Sequence, residues 1–342
     1  MSPENRNHKR VRIIVVNDDA MTFESDVLIL KYAQAHYGLD MDVSYKLSRL
    51  GVSPELMSPE VESYNLINSR GGLGARNVLI FGVVSLYEFG YEDIRKFARS
   101  SLKALSGNEE NFKHVSITLH GVGIGMDEME AFDSEVAGLI DGITSGEAPK
   151  ELEQISIVDH DERRAKRLSE ALSHLLPRSF IEIDFRNYLK KMEEKVTEKY
   201  RSAGYLSATK PHIFVAMPFR EDMEDIYDYA ISGAVRSAGF LCERADLSSF
   251  TGDVMDWVKK RIQSASLLIA DLTTANPNVY LEVGFAWGLN VPTVLLVQDA
   301  NDLKFDVKNQ RCIVYKRIKE LEEKLQKELS NLSVQVGLSG GN

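Results

Sequence analysis

The 342-residue chain has only two cysteines, Cys242 and Cys312, so no disulfide framework organises it and no cysteine-based zinc spacing exists. A reducing compartment is the expected setting. Long apolar runs are also missing: nothing approaches the roughly 20 residues that cross a bilayer. The opening MSPENRNHKRVRIIVVNDDA places basic residues before an apolar run of about six residues that ends in acids, too short for a signal h-region. Basic charge is in deficit, with 51 Asp and Glu against 41 Lys and Arg and a net charge of -10. That balance disfavours adhesion to duplex nucleic acid or an anionic membrane, although a local basic pocket could still hold a phosphate. These absences predict a cytoplasmic protein with no membrane and no direct duplex partner. What is present is 44% hydrophobic residues, enough for about two domains that each bury a core.

The pattern along the chain predicts α/β architecture: two Rossmann-like domains with mainly parallel sheets, joined by a helical connector. Residues 1–177 form the first domain, 178–210 the connector, 211–315 the second domain, and 316–342 a C-terminal helix and tail. Val11 to Val16 is a β-branched run without alternation, as in a strand buried on both faces. A helix is expected from about Glu24 to Tyr37, while 38–74 is punctuated by Ser53-Pro54, Ser58-Pro59 and Arg70-Gly71-Gly72. Strands at Asn77–Gly82, His114–Leu119 and Ile155–Val158 then alternate with helices at Tyr91–Leu105, Asp127–Ile143 and Asp161–Leu175. After the charge-dense segment FRNYLKKMEEKVTEKYRSAG the βα alternation resumes at Ile213. It ends in KRIKELEEKLQKELSNL, where Leu321, Leu325 and Leu329 recur at helical spacing and suit either packing on their own domain or a dimer contact.

The segment from Leu267 to Gly288, LLIADLTTANPNVYLEVGFAWG, carries the most chemistry. A buried strand ending at Asp271 brings a carboxylate to the carboxyl edge of a sheet, where open α/β folds bind ligands. Asn278 is the expected N-cap of the following helix, with Pro277 before it. Glu282 falls about one turn in and leans back toward the helix start. Spacing alone leaves two roles open for it, dipole compensation or a site carboxylate. Gly284 and Gly288, at i and i+4, permit close approach of another element, and Trp287 is expected in the core.

From His212 to Tyr315 the run IFVAMPF, CERAD, IADLT, NPNVYLEVGFAWG and VPTVLL resembles the nucleoside 2-deoxyribosyltransferase-like and TIR-like superfamily. The resemblance implies that Glu282 is catalytic in cleaving an N-glycosidic bond. A fixed carboxylate stabilises the cation that forms at C1′ of the ribose as the base departs, or attacks it. The nicotinamide ring of NAD is already cationic and leaves without a strong general acid, which suits a site with no obvious catalytic histidine. NAD is thus the expected substrate, and no cofactor is implied. Asp271 and Asn278 become candidates for ribose hydroxyls or for shaping the loop. Met217, Phe219 and Arg220 are candidates for base and phosphate. Arg220 equally suits a surface pair with Glu221 or Asp222, and Arg244 and Asp246 either close the pocket or pair with each other.

In the first domain, Gly121, Gly123 and Gly125 follow a strand and open a helix, where backbone amides can cradle phosphate. The spacing is not the dinucleotide fingerprint; Asp127 with Glu130 reads as a capping pair, and the charge of Asp127 with Glu128 would repel an anion. Arg70 and His120 are further candidates, as are Asn17 and Asp18 with Asp19 after the first strand; turn or surface roles are the alternative. Leu73–Leu86, LGARNVLIFGVVSL, resembles the macro-like N-terminal domain of leucine aminopeptidases, and the βα order resembles CARF nucleotide sensors. Joined to a TIR-like module, such a domain implies an antiviral NAD glycohydrolase. It would be activated by a nucleotide second messenger, a cyclic oligoadenylate being one candidate, and would form a homo-oligomer on activation. The alternatives are a constitutive deoxyribosyltransferase or hydrolase, and a non-enzymatic TIR-type scaffold.

Overall fold

In the computed structural model the described residues are 10–176, 180–182, 194–244, 254–304, 307 and 310–335. The chain divides into unit 1, Met1–Val122 with Glu128–Ala208, and unit 2, Gly123–Asp127 with Thr209–Asn342.

Unit 1 is built on seven strands: β1 (Arg10–Asn17), β2 (Ser25–Tyr32), β3 (Tyr64–Asn68), β4 (Ala75–Gly82), β5 (His114–Ile117), β6 (Gln154–Asp159) and β7 (Phe180–Glu182). Their order is β3-β4-β2-β5-β6-β1-β7. The inner five run parallel, and β3 and β7 close the edges antiparallel. The helix expected over Glu24–Tyr37 is instead β2. SDVLIL is buried at every position and pairs with β4 and β5 on its two sides. A short apolar run without period suits a buried strand as well as a helix, and strand neighbours on both sides decide it.

The helices of unit 1 are α1 (Leu39–Arg49), α2 (Tyr91–Ser106), α3 (Glu128–Thr144), α4 (Glu162–Leu175) and α5 (Glu194–Ser202). Helix α2 buries the predicted stripe of Ile94, Phe97, Ala98, Ser101 and Leu105. Gly138 of α3 lets the two helices touch, since a Cβ there would stand 2.2 Å from the carbonyl oxygen of Arg95. Helix α3 buries Glu130, Asp133 and Glu135 along with its apolar residues. Of the segment expected to connect the domains, Phe180–Glu182 pairs with β1 and Glu194–Ser202 clusters with unit 1.

Unit 2 has five parallel strands, β8 (His212–Ala216), β9 (Leu241–Glu243), β10 (Leu267–Asp271), β11 (Thr293–Val297) and β12 (Cys312–Val314). Their order, β12-β11-β10-β8-β9, is that of a doubly wound sheet that reverses between β8 and β10. Around it lie α6 (Glu221–Asp225), a π-helical segment (Ile226–Ile231), α7 (Ser232–Ser237), α8 (Val254–Ser264), α9 (Pro277–Gly288) and α10 (Ile318–Gln335). One sheet face packs against the helices from α6 to α7 and against α10, the other against α8 and α9. Leu321, Leu325 and Leu329 are fully buried in the first of these cores, so α10 packs on its own unit. No described helix is long and apolar enough to cross a membrane.

Candidate active site

The sheet order reverses between β8 and β10, the position at which open α/β folds take ligands in a crevice at the carboxyl ends of the strands, and α9 follows β10 there. The N-cap of α9 is Asn276, two residues before Asn278: its Oδ1 accepts the Asn278 backbone N–H at 2.9 Å, with Pro277 at the first helical position. Asn278 itself is exposed. Glu282 lies in the second turn of α9, 8% exposed. Its carboxyl makes no hydrogen bond or ion pair among the described residues, and burial alone pushes its pKa up to about 7. Dipole compensation in the first turn does not describe such a residue; a buried, unpaired carboxyl is costly unless something binds to it.

Asp271 is fully buried at the end of β10. Its Oδ1 accepts from the Thr273 N–H at 3.0 Å and the Thr273 hydroxyl at 2.5 Å, and its Oδ2 from the Tyr315 hydroxyl at 2.6 Å. Burial raises its pKa, with those donors acting in the opposite direction. Of its two expected roles, these contacts match the shaping of the loop. That loop holds Thr274 and Ala275 at positive φ, 64° and 53°, and Asp302 accepts the Thr274 N–H at 3.0 Å. Two successive non-glycine residues in the left-handed region mark stored strain beside the crevice. The sequence offers no signal for Tyr315 as a clamp, because it is 44 residues away.

Met217 and Phe219, expected beside Arg220, are instead brought together with Arg244 at the ends of β8 and β9. The Arg244 guanidinium lies 3.9 Å from the Tyr227 ring centroid and 5.0 Å from that of Phe219, bonds Glu224 at 2.8 Å, and approaches the Met217 sulfur at 3.6 Å. Tyr227 and Glu224 were not anticipated. Tyr227 sits in the π-helical segment, a departure from α geometry that is frequent at functional sites. Arg220 is exposed and forks onto Asp222 at 2.9 and 2.7 Å, the surface pair. Asp246 lies outside the described residues. His212 bonds the Arg261 carbonyl at 2.9 Å, a structural role. Trp287 is not core but 37% exposed. Gly284 and Gly288 face open space rather than a packed neighbour.

In unit 1, Asn17, Asp18 and His120 stand at the carboxyl edge, at or beyond the ends of β1 and β5. Asn17 donates to the Asp159 carbonyl at 3.0 Å, and Asp18 accepts the Asp19 N–H at 2.7 Å, a turn contact. Arg70 is at the opposite edge, before β4, donating at 2.6 Å to the Leu50 carbonyl that follows α1. His120 is buried: its Nδ1 lies 2.9 Å from Glu135 Oε2, which also accepts the His120 N–H at 3.2 Å. His120 Nε2 and Glu135 Oε1 have no hydrogen-bond partner among the described residues. Burial lowers the His120 pKa and raises that of Glu135.

Gly121 and Gly125 take φ of 93° and 92°, the tight-turn role, and Gly123 has open space at its Cβ. Gly123–Asp127 clusters with unit 2, where the Gly125 carbonyl accepts the Arg244 N–H at 3.0 Å. Asp127 Oδ2 accepts from Arg236 Nε and the Cys242 N–H, both at 2.9 Å, and Glu130 accepts the Ser207 hydroxyl at 2.5 Å. Among the described residues no group of three or more His, Cys, Asp or Glu is arranged to hold a metal ion.

No family model matches the chain, and no curated protein matches it. Solved structures similar to it include macrodomains. A macrodomain of Oceanobacillus iheyensis with MES bound is 14% identical with a TM-score of 0.41, covering 51% of this chain and 96% of its own. The same organism's macrodomain with ADP is 14% identical at a TM-score of 0.38, with 51% and 96% covered. A Trypanosoma brucei macrodomain in complex with ADP-ribose is 15% identical at a TM-score of 0.38, with 47% and 69% covered.

Proposed function

We propose that unit 2 is an N-glycosidase that cleaves NAD to nicotinamide and ADP-ribose, with Glu282 as the catalytic carboxylate. The observation that carries this reading is the buried carboxyl of Glu282, without a partner among the described residues, on the helix that opens beside the sheet reversal. As the C1′–N bond breaks, the leaving pyridinium takes the bonding pair and becomes neutral nicotinamide. The positive charge passes to the ribose ring, where Glu282 stabilises it or bonds to C1′ until water displaces the sugar. The raised pKa fits a cationic substrate, whose ring restores the ionised form of Glu282 on binding. Arg244, held against Tyr227 and Phe219, is the group we assign to the phosphates or the base.

The test is nicotinamide release by the purified chain. Glu282→Gln should reduce it by at least about a hundredfold with folding intact; release that persists in this variant refutes the assignment.

The same elevated pKa favours a second reading. A carboxyl half-protonated near neutrality can act as general acid on a neutral base, as a deoxyribosyltransferase or nucleoside hydrolase needs. Nucleobase release from deoxynucleosides, with none from NAD, identifies that case. Under the first reading, a nucleotide bound by unit 1 controls the reaction and the active form is a homo-oligomer.

A further inference from the structure

Unit 1 contains a cavity of about 570 Å³ that none of the candidate site residues discussed above lines. It lies at the carboxyl end of β4, next to the edge strand β3 and beneath α2, with Tyr64, Phe81 and Glu62 on the strand side and Lys96, Phe97, Ser100 and Lys103 on the helix. Its size is that of small-molecule sites, and its position is the sheet edge at which open α/β folds take ligands. Gly82 allows this shape: a Cβ there would stand 2.0 Å from the Glu60 carbonyl oxygen, so only glycine lets the approach to β3 cross the end of β4.

Two chemistries meet in the cavity. The Tyr64 and Phe81 rings are parallel within 5° at 6.5 Å, Phe97 meets Phe81 at 6.1 Å and 68°, and Tyr64 is 41% exposed. That is an apolar platform with room for another planar ring. Lys96, Ser100 and Lys103 are spaced i, i+4 and i+7 on α2, one stripe of the helix. Lys96 pairs with Glu92, 2.8 Å away in an exposed pair, and Lys103 stands 3.8 Å from Glu147, which Arg99 already engages at 2.7 Å. Exposed pairs of this kind hold their members weakly, so both ammonium groups can turn to an anion. Asp93 is spent on the Gly90 N–H at 2.9 Å, leaving Glu62 as an acceptor for hydroxyls or an amine.

We propose that this cavity binds a nucleoside monophosphate, its base against Tyr64 and Phe81 and its phosphate toward Lys96, Ser100 and Lys103. The proposal rests on reading unit 1 as nucleotide-binding, not on Glu282. Titration calorimetry of the full chain with AMP, adenosine and inorganic phosphate tests it. AMP should bind saturably, with adenosine and phosphate each weaker by at least about tenfold, since neither fills both halves. The surface double variant Lys96→Glu/Lys103→Glu should weaken AMP by at least about tenfold, and Ser100→Trp, which fills the space, should remove it. No AMP binding up to about 5 mM, or an isotherm unchanged in both variants, overturns the site. NAD cleavage is not read, so failure here and failure of the glycosidase reading are separate results.

Discussion

At the residue scale, Glu282 links stability to activity through one proton. Burial raises its pKa from 4.5 to about 7 in the folded chain. Below pH 4.5 both states hold the proton and nothing is lost. Between 4.5 and 7 the folded state keeps a proton that the unfolded state has released, so stability falls as pH rises, levelling off above 7. The span corresponds to at most about 3 kcal/mol. Glu282→Gln, which has no charge to bury, should therefore gain up to about 3 kcal/mol over the parent on going from pH 4.5 to pH 8, read as urea midpoints at the two values. An unchanged difference would mean that the carboxyl is better solvated than its surroundings imply. The pH profile of cleavage separates the two readings of the site. For a carboxylate acting on NAD, kcat/KM climbs with pH and flattens above about 7; for a general acid acting on a neutral base it declines above that point.

At the element scale, α10 and β2 illustrate opposite outcomes. The leucine spacing of the tail is a helical signal, and packing in its own unit follows because Leu321, Leu325 and Leu329 face a core already lined by β8, β10 and the helices from α6 to α7. Leu325→Ala should cost about 2–5 kcal/mol, measured by chemical denaturation. A loss below about 1 kcal/mol would place that face outside the folded core. For β2, eight residues support either a short helix or a strand locally, and only the neighbouring strands β4 and β5 resolve the ambiguity. The π-helical segment belongs to the same scale: no residue pattern announces Ile226–Ile231, yet it carries the Tyr227 that packs against Arg244.

At the scale of the whole molecule, two α/β units occupy one chain, and the reading of unit 1 as a control module has a direct consequence. NAD cleavage by the purified chain should be low alone and rise at least about tenfold with an activating nucleotide. A panel of linear and cyclic oligoadenylates, scored by released nicotinamide, measures it. Full activity without any nucleotide argues for a constitutive enzyme.

Much of this architecture was legible before any coordinates. LLIAD reads as a strand buried on both faces and is one, whereas RIIVV forms a strand whose Ile14, Val15 and Val16 stay half-buried, and an acid at the end of a strand followed by Asn-Pro-Asn marks a capped helix. For Glu282, spacing alone left dipole compensation and a site carboxylate both open, and the resemblance of its segment pointed to the second. What sequence could not decide is which charges end up satisfied. Asp271 is taken by Tyr315, Asp127 by Arg236 and Cys242, and Arg70 by Leu50, through partners 20 to 115 residues away. Glu282 is left without one among the described residues. Local propensity acts over a few residues, whereas desolvation and hydrogen-bond completion are properties of the packed chain, and only tertiary structure separates a structural carboxylate from one available for chemistry.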